Sequence, residues 1–364
     1  MVGFGAFLSL SDTNGQSHRQ VYDDALMYAR EAERLGCDSV WINEHHFMGF
    51  SICPDSLVMA SALLASTKKI RVGNAISLIP LQHPVSIAEK AAMLDNLSGG
   101  RFDLGLGRGG YPLDAMVFNM PLDQFGPSLD QGVELIHRAL SADYVDGTLS
   151  NGQPSLWSFP PVQVYPRPYT KPHVPIFVAG QTDHTMGIAA QRGLSLLLSW
   201  HQTHTERETV VKRYDAALAA AGHKGPRPVH VGSACVHIAD TKEQAIAEFT
   251  GRFRDWLRGG RTGAFDKTAV DGPYGQALKD ILAFAQKKAA NEDAMVAKLM
   301  ANNPIGSVDD VTAWFREDIV RTGTQRYAVF VDVIGEPRQA LGNLTRLLTE
   351  VAPALGVCAG VARI

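Results

Sequence analysis

The chain has 364 residues, 45% hydrophobic and 20% charged, which is the balance of a globular protein and excludes a disordered or membrane-embedded chain. With 34 Lys and Arg against 37 Asp and Glu there is no charge surplus to mark a nucleic-acid or membrane partner, so a small molecule is expected instead. Cys37, Cys53, Cys235 and Cys358 stand singly, without the paired spacing of a zinc or redox site, and read as reduced core thiols.

The apolar start, Val2 to Leu10, has no basic flank and meets Asp12 too soon for a signal peptide or membrane span, so it reads as a first strand in a cytoplasmic protein. Strands are expected over 4–10, 39–43, 70–78, 102–107, 175–179, 194–200, 230–238 and 327–333, making eight. Helical spacing occupies 19–35, 56–66, 87–97, 129–142, 184–192, 206–221, 242–258, 309–321 and 338–355. This alternation predicts an α/β protein of the (β/α)8 TIM-barrel class over one domain, 1–364. An open doubly wound sheet is the alternative, but the turn Ser11-Asp12-Thr13-Asn14-Gly15 after the first strand lacks the GxGxxG pattern. Two stretches exceed a minimal barrel. The Pro- and aromatic-rich 151–172 reads as a hairpin or loop insertion before strand five, and 259–304 reads as a candidate mobile lid.

The second strand runs directly into Glu44-His45-His46. Side chains alternate along a strand, so the two imidazoles should serve different purposes, one facing a site and the other bracing it. Taken alone, the tripeptide suits proton transfer, a metal site or a pair of satisfied loop histidines. In a barrel the active site gathers at the C-terminal strand ends. That rule collects Glu44, His45 and His46 with Asn74, Ser77, Arg108, residues 181–185, Trp200, His201 and Gln202. Arg108 lies in Gly105-Leu-Gly-Arg-Gly-Gly-Tyr111, where glycines admit a ligand to the backbone and the guanidinium offers a planar fork to phosphate. After strand five, Ala179-Gly-Gln-Thr-Asp-His-Thr185 enters a helix, whose free N–H groups and Thr182 and Thr185 hydroxyls also suit phosphate. Asp183 would repel that anion unless its carboxylate turns away as a helix cap. A phosphorylated cofactor held by strands four and five is expected.

Several ordered stretches carry a resemblance. They are Val40-Trp-Ile-Asn-Glu-His-His-Phe47, Ile70-Arg-Val-Gly-Asn-Ala-Ile76, Pro80 to Ala88, Leu94-Asp-Asn-Leu-Ser-Gly-Gly-Arg-Phe102, Gly105 to Tyr111, Arg192-Gly-Leu and Leu198-Ser-Trp200. On these the chain resembles the bacterial luciferase-like flavin-dependent monooxygenases, close to the luciferase catalytic subunit. The resemblance implies reduced FMN supplied by a separate flavin reductase, O2, and a C4a-hydroperoxyflavin that oxygenates a small aldehyde, ketone, aromatic or polyketide-like substrate. It matches His45 to an essential histidine, His46 to its neighbour, Arg108 to a phosphate-binding arginine, and Thr182 and Thr185 to phosphate ligands. Ala75-Ile76 matches a non-prolyl cis peptide beside the flavin, Asp114 and Trp200 match residues near its ring, and 265–292 matches a mobile loop.

The expected catalytic residues are therefore His45, His46 and Asp114. The expected cofactor-binding residues are Glu44, Ala75, Ile76, Gly107, Arg108, Gly109, Gln181, Thr182, Thr185 and Trp200, with no metal. His45, as an imidazole with a pKa near 7, is the expected proton handler. A homodimer is expected through the second and third helices, which carry the small residues Ala60, Ser61, Ala62, Ala65, Ala88, Ala91 and Ala92. Gly107 stands where luciferase has a reactive Cys, Gln181 where it has Glu, and His201 where it has an aliphatic residue, which leaves light emission and a long-chain aldehyde substrate open. An F420-dependent hydride-transfer enzyme, a non-catalytic flavin-binding relative and a metal-dependent hydrolase are the alternatives.

Overall fold

Strands buried on both faces read as near-continuous apolar runs, and here such runs pair side by side until the last meets the first. The computed structural model describes residues 2–12, 15–180, 182–259, 266–331 and 337–356. The barrel strands are β1 (Gly3–Leu8), β2 (Ser39–Ile42), β3 (Arg71–Asn74), β4 (Phe102–Gly107), β5 (Ile176–Ala179), β6 (Ser195–Leu198), β7 (Val231–Cys235) and β8 (Arg326–Phe330). Each is parallel to its neighbours, and β1 closes the ring on β8 with Gly3 opposite Arg326. The chain is thus a (β/α)8 barrel.

Local chemistry sets the helix ends. In α1 (His18–Leu35) Ser17 accepts from the Gln20 amide at the start, and Gly36, with φ 91°, provides the left-handed stop. α2 (Ser56–Ser66) is capped by Asp55, and α3 (Pro84–Ser98) begins on a proline whose missing N–H costs nothing there. α4 (Pro112–Val117), α5 (Phe125–Ser141), α6 (Asp183–Gln191), α7 (His204–Ala220), α8 (Lys242–Gly259), α9 (Gly275–Ala290), α10 (Glu292–Asn302), α11 (Val308–Thr322) and α12 (Pro337–Arg346) complete the helices used below. Among the described residues no helix is long and apolar enough to cross a membrane.

The barrel interior is filled by Trp41 and Phe177, whose rings meet edge to face at 5.4 Å, with Val231 and Ala328 beside them. Gly73 is required opposite Trp41, because a Cβ there would enter the indole ring. At the N-terminal end of the strands Asp103 accepts from Arg326 Nη2 at 2.9 Å and from Arg71 Nε at 3.1 Å. Burial pushes that carboxyl up, but the Arg326 and Arg71 guanidiniums outweigh it and hold it below the ordinary aspartate value. Arg326 also lies over the Trp41 and Phe177 rings.

Several expectations change. The third strand is not continuous over 70–78: β3 ends at Asn74, Ala75-Ile76 is a cis peptide, and pairing resumes at Ser77–Leu78. The seventh stops at Cys235, and His237–Ile238 pairs with Ile305–Gly306 outside the barrel. The insertion around 151–172 has only two isolated antiparallel bridges, Val145 with Val162 and Thr148 with Pro154. It is tied to α3 by Asp95, which accepts from the Thr170 amide and hydroxyl at 2.7 and 2.8 Å. The described part of 259–304 is mainly helical, comprising a short turn at Lys267–Asp271, α9 and α10. Leu278 and Ile281 of α9 pack on Leu113 of α4.

Candidate active site

A cavity of about 310 Å³ opens at the C-terminal strand ends, where a parallel barrel presents its loops. Glu44 and His45 line it from the end of β2, Ala75, Ile76 and Leu78 from the broken third strand, and Arg108 to Tyr111 from the end of β4. Asp114 of α4 and Phe284 of α9 complete the wall.

His45 and His46 face different surroundings, as expected, but not through strand alternation, since β2 ends at Ile42 and both lie in the loop beyond it. His45 faces the cavity, with its ring 4.5 Å from that of Phe50 and 5.9 Å from that of Tyr111. His46 does not line the cavity and packs on Phe118 at 4.7 Å. The expected His45 pKa near 7 does not hold: burial, and secondarily the neighbouring His46, pull it down to about 4, so the imidazole is neutral at physiological pH. Asp114 is 2% exposed, and its Oδ1 has no hydrogen-bond partner. Burial first, and then the nearby Glu44, raise its carboxyl to about 6.

Arg108 is exposed to the cavity and makes no ion pair or hydrogen bond among the described residues. Gly109 and Gly110 follow it with φ 70° and 144°, a backbone that side-chain-bearing residues rarely adopt. Thr182 and Thr185 lie past the end of the adjacent strand, β5, and do not line this cavity; their hydroxyls are 2.9 Å apart. Thr182, rather than Asp183, caps α6, accepting from the Thr185 amide at 3.2 Å. Asp183 does turn away, to Arg213 of α7 at 3.0 Å. Gln181 lies outside the described residues.

Trp200 stacks on His201 at 3.5 Å and joins an aromatic group with Phe253, Trp256 and Phe330, outside the cavity lining. Gly107 ends β4 against Ile76. Sequence reasoning missed Leu78, Gly110, Tyr111 and Phe284 as wall residues. Tyr111 carried a signal, since it directly follows the Arg-Gly-Gly run; Phe284 lies within the expected lid segment, but which of its residues meets the cavity depends on how α9 packs.

An unpaired guanidinium beside open glycine backbone suits a phosphate. A buried carboxyl with an unsatisfied oxygen suits the polar edge of a heteroaromatic ring, and Ile76, Leu78 and Phe284 suit its flat body. The residues present therefore fit a phosphorylated ring cofactor. Among the described residues, no three His, Cys, Asp or Glu converge as a metal-binding group.

Comparison with known proteins gives the same direction. The family model for luciferase-like monooxygenases matches residues 2–326. The chain is 25% identical over 355 residues to the alkanal monooxygenase alpha chain of the Kryptophanaron alfredi symbiont, covering 97% of this chain and 98% of that one. It is 26% identical over 348 residues to the oxygenase component of the flavin-dependent trigonelline monooxygenase of Acinetobacter baylyi, covering 93% and 91%. Among solved structures it is similar in fold to the monooxygenase RslO1 of Streptomyces bottropensis, with TM-score 0.76, 23% identity and coverage of 97% and 99%. It is also similar to the FMN-bound oxygenating constituent of 3,6-diketocamphane monooxygenase from Pseudomonas putida, with TM-score 0.68, 21% identity and coverage of 97% and 98%. An F420-dependent secondary alcohol dehydrogenase shares the fold as well, with TM-score 0.70, 15% identity and coverage of 97% and 99%.

Proposed function

Because this chain belongs to the luciferase-like monooxygenase family, we propose that it is the oxygenase component of a two-component system, taking reduced FMN from a separate flavin reductase and using O2 to oxygenate a small organic molecule. The observation that carries the reading is Arg108, a guanidinium without a partner among the described residues, at the edge of a cavity whose other walls hold a neutral imidazole and a buried carboxyl. Its relatives act on chemically different substrates by name, so the substrate is proposed only as a small organic molecule.

Reduced flavin, when bound, would supply the oxygen-transfer chemistry with O2. Arg108, flanked by Gly107 and Gly109, would hold the phosphate together with the Thr182 and Thr185 hydroxyls on the adjacent strand end. Ala75, Ile76 and Leu78 would cover the ring, with Phe284 closing over it and excluding water. Neutral His45 offers one ring nitrogen as acceptor and the other as N–H donor, so it can take a proton from the reacting oxygen or return one. Asp114, near half-protonation around pH 6, presents either a donor or an acceptor to the polar edge of the ring. Of the small residues expected at a dimer seam, Ala60, Ala88, Ala91 and Ala92 are buried in the barrel's own core, and it is the exposed Val58, Met93 and Leu97 on α2 and α3 that support a homodimer through that face.

The fold is shared with F420-dependent enzymes, so the test compares cofactors. FMN, riboflavin and F420 are titrated into the protein, and the complex with reduced FMN is then mixed rapidly with O2. Tight FMN binding with an oxygen-dependent transient absorbance is expected. Tight F420 binding with no such transient would replace this reading with hydride transfer.

A further inference from the structure

Glu44 is the cavity-lining member of the Glu-His-His tripeptide that the proposed chemistry leaves unused. It is 2% exposed, and its two carboxylate oxygens are fully engaged. Oε2 accepts from the Ser56 amide at 3.0 Å and the Ser56 hydroxyl at 2.6 Å, while Oε1 accepts from the Leu78 amide at 3.0 Å and Gln82 Nε2 at 3.3 Å. We propose that Glu44 is a positioning residue, whose carboxylate clamps the end of β2 to Leu78 and to the first turn of α2 and so fixes the Ala75–Ile76 wall of the cavity.

The geometry leaves that wall no slack. Its near end is held at Ala75, whose amide donates to the Ile42 carbonyl of β2 at 2.7 Å. Glu44, two residues beyond Ile42, takes the far end at Leu78, so the short segment from Ile42 to Glu44 grips both sides of the Ala75–Ile76 step. Ser56 links this clamp to a second one. Asn74 Nδ2 donates to the Ser56 hydroxyl at 3.2 Å, the Ser77 hydroxyl at 2.9 Å and the Gly105 carbonyl at 3.0 Å, and Asn74 Oδ1 accepts from the Gly105 amide at 2.9 Å. On its other side Ile76 abuts Gly107.

A carboxylate is the group this position demands. Donors meet both of its oxygens, so a glutamine would turn its NH2 against one donor pair and release one side of the clamp. Burial pushes the Glu44 carboxyl up, with its hydrogen bonds from Ser56 and Leu78 opposing. The functional consequence rests on the flavin reading, whereas the clamp itself does not.

The test uses the full chain with Glu44→Gln and, as a milder variant, Ser56→Ala, which removes the bridging hydroxyl. Amide hydrogen exchange at Leu78 should quicken by about tenfold or more in Glu44→Gln and less in Ser56→Ala, while the Val72 amide on β3 is unchanged. FMN and riboflavin should lose affinity by the same factor, about tenfold, because the ring wall and not the phosphate site is disturbed. The visible circular dichroism of bound flavin should change as well. Leu78 exchange at the wild-type rate in both variants would overturn the clamp. Faster exchange with unchanged flavin affinity and spectrum would overturn its role in the site. A wild-type protein that binds no flavin would refute the flavin reading and with it that role, leaving Leu78 exchange to decide the clamp.

Discussion

Gly107 and Ile76 meet at the mouth of the barrel so closely that a methyl group on Gly107 would run into the Ile76 side chain. A side chain at position 107 would compete with Ile76 for the same space. Gly107→Ala should cost about 1–3 kcal/mol of stability and weaken flavin binding, because overpacking must displace the cavity wall. Chemical denaturation and FMN titration check this, and wild-type values in both would show that Ile76 yields freely.

Arg108→Ala should weaken FMN binding by roughly 10- to 100-fold, the usual worth of charge-assisted hydrogen bonds, and leave riboflavin nearly unaffected. Parallel titration of the two flavins measures the difference. Equal losses would mean that Arg108 does not meet phosphate.

Asp114 ties stability to pH. Its folded pKa, about 6, lies above the ordinary 3.8, so the folded state binds the proton more tightly than the unfolded chain. The stabilisation from this group is full below pH 3.8 and is lost as pH rises through 6. Asp114→Asn should therefore stabilise the cofactor-free protein at pH 8 by on the order of 1–3 kcal/mol and have little effect at pH 3.5. Melting curves at the two pH values test the sign.

His45 has the opposite linkage. Its folded pKa of about 4 lies below 6.5, so its contribution is present above pH 6.5 and is lost as pH falls towards 4. His45→Gln should flatten that acid-side loss in melting experiments. His45→Ala should lower turnover roughly 10²- to 10⁴-fold, the range for general acid–base groups, with flavin affinity largely kept. Normal turnover would remove His45 from proton handling.

The exposed Val58, Met93 and Leu97 predict that Val58→Glu combined with Leu97→Lys gives a monomer. Sedimentation of the parent and double variant checks this, and a parent already sedimenting as a monomer would refute the dimer.

How much of this was legible depended on the range of the interaction. β4 and α2 matched their expected boundaries because apolar runs and caps are local signals. The break after Asn74 is invisible in periodicity, since Ile76 and Leu78 continue the apolar pattern of a strand. The expectation of a lid over 259–304 comes from its length beyond a minimal barrel; that α9 forms there and meets Leu113 depends on a contact far away in sequence. In the site, residue type and order pointed to His45 and Arg108, and the family resemblance to Asp114. The neutrality of His45 and the raised carboxyl of Asp114 come from burial, which no short window of sequence carries.

The Asp103, Arg71 and Arg326 cluster, with Trp41 and Phe177 packed edge to face inside it, shuts one end of the barrel. Everything the cavity receives must then come and go through the opposite face. The cavity itself opens on that side, between Arg108 and Phe284, so the barrel has its packed, charged end and its ligand-accepting end at opposite poles of the same strands.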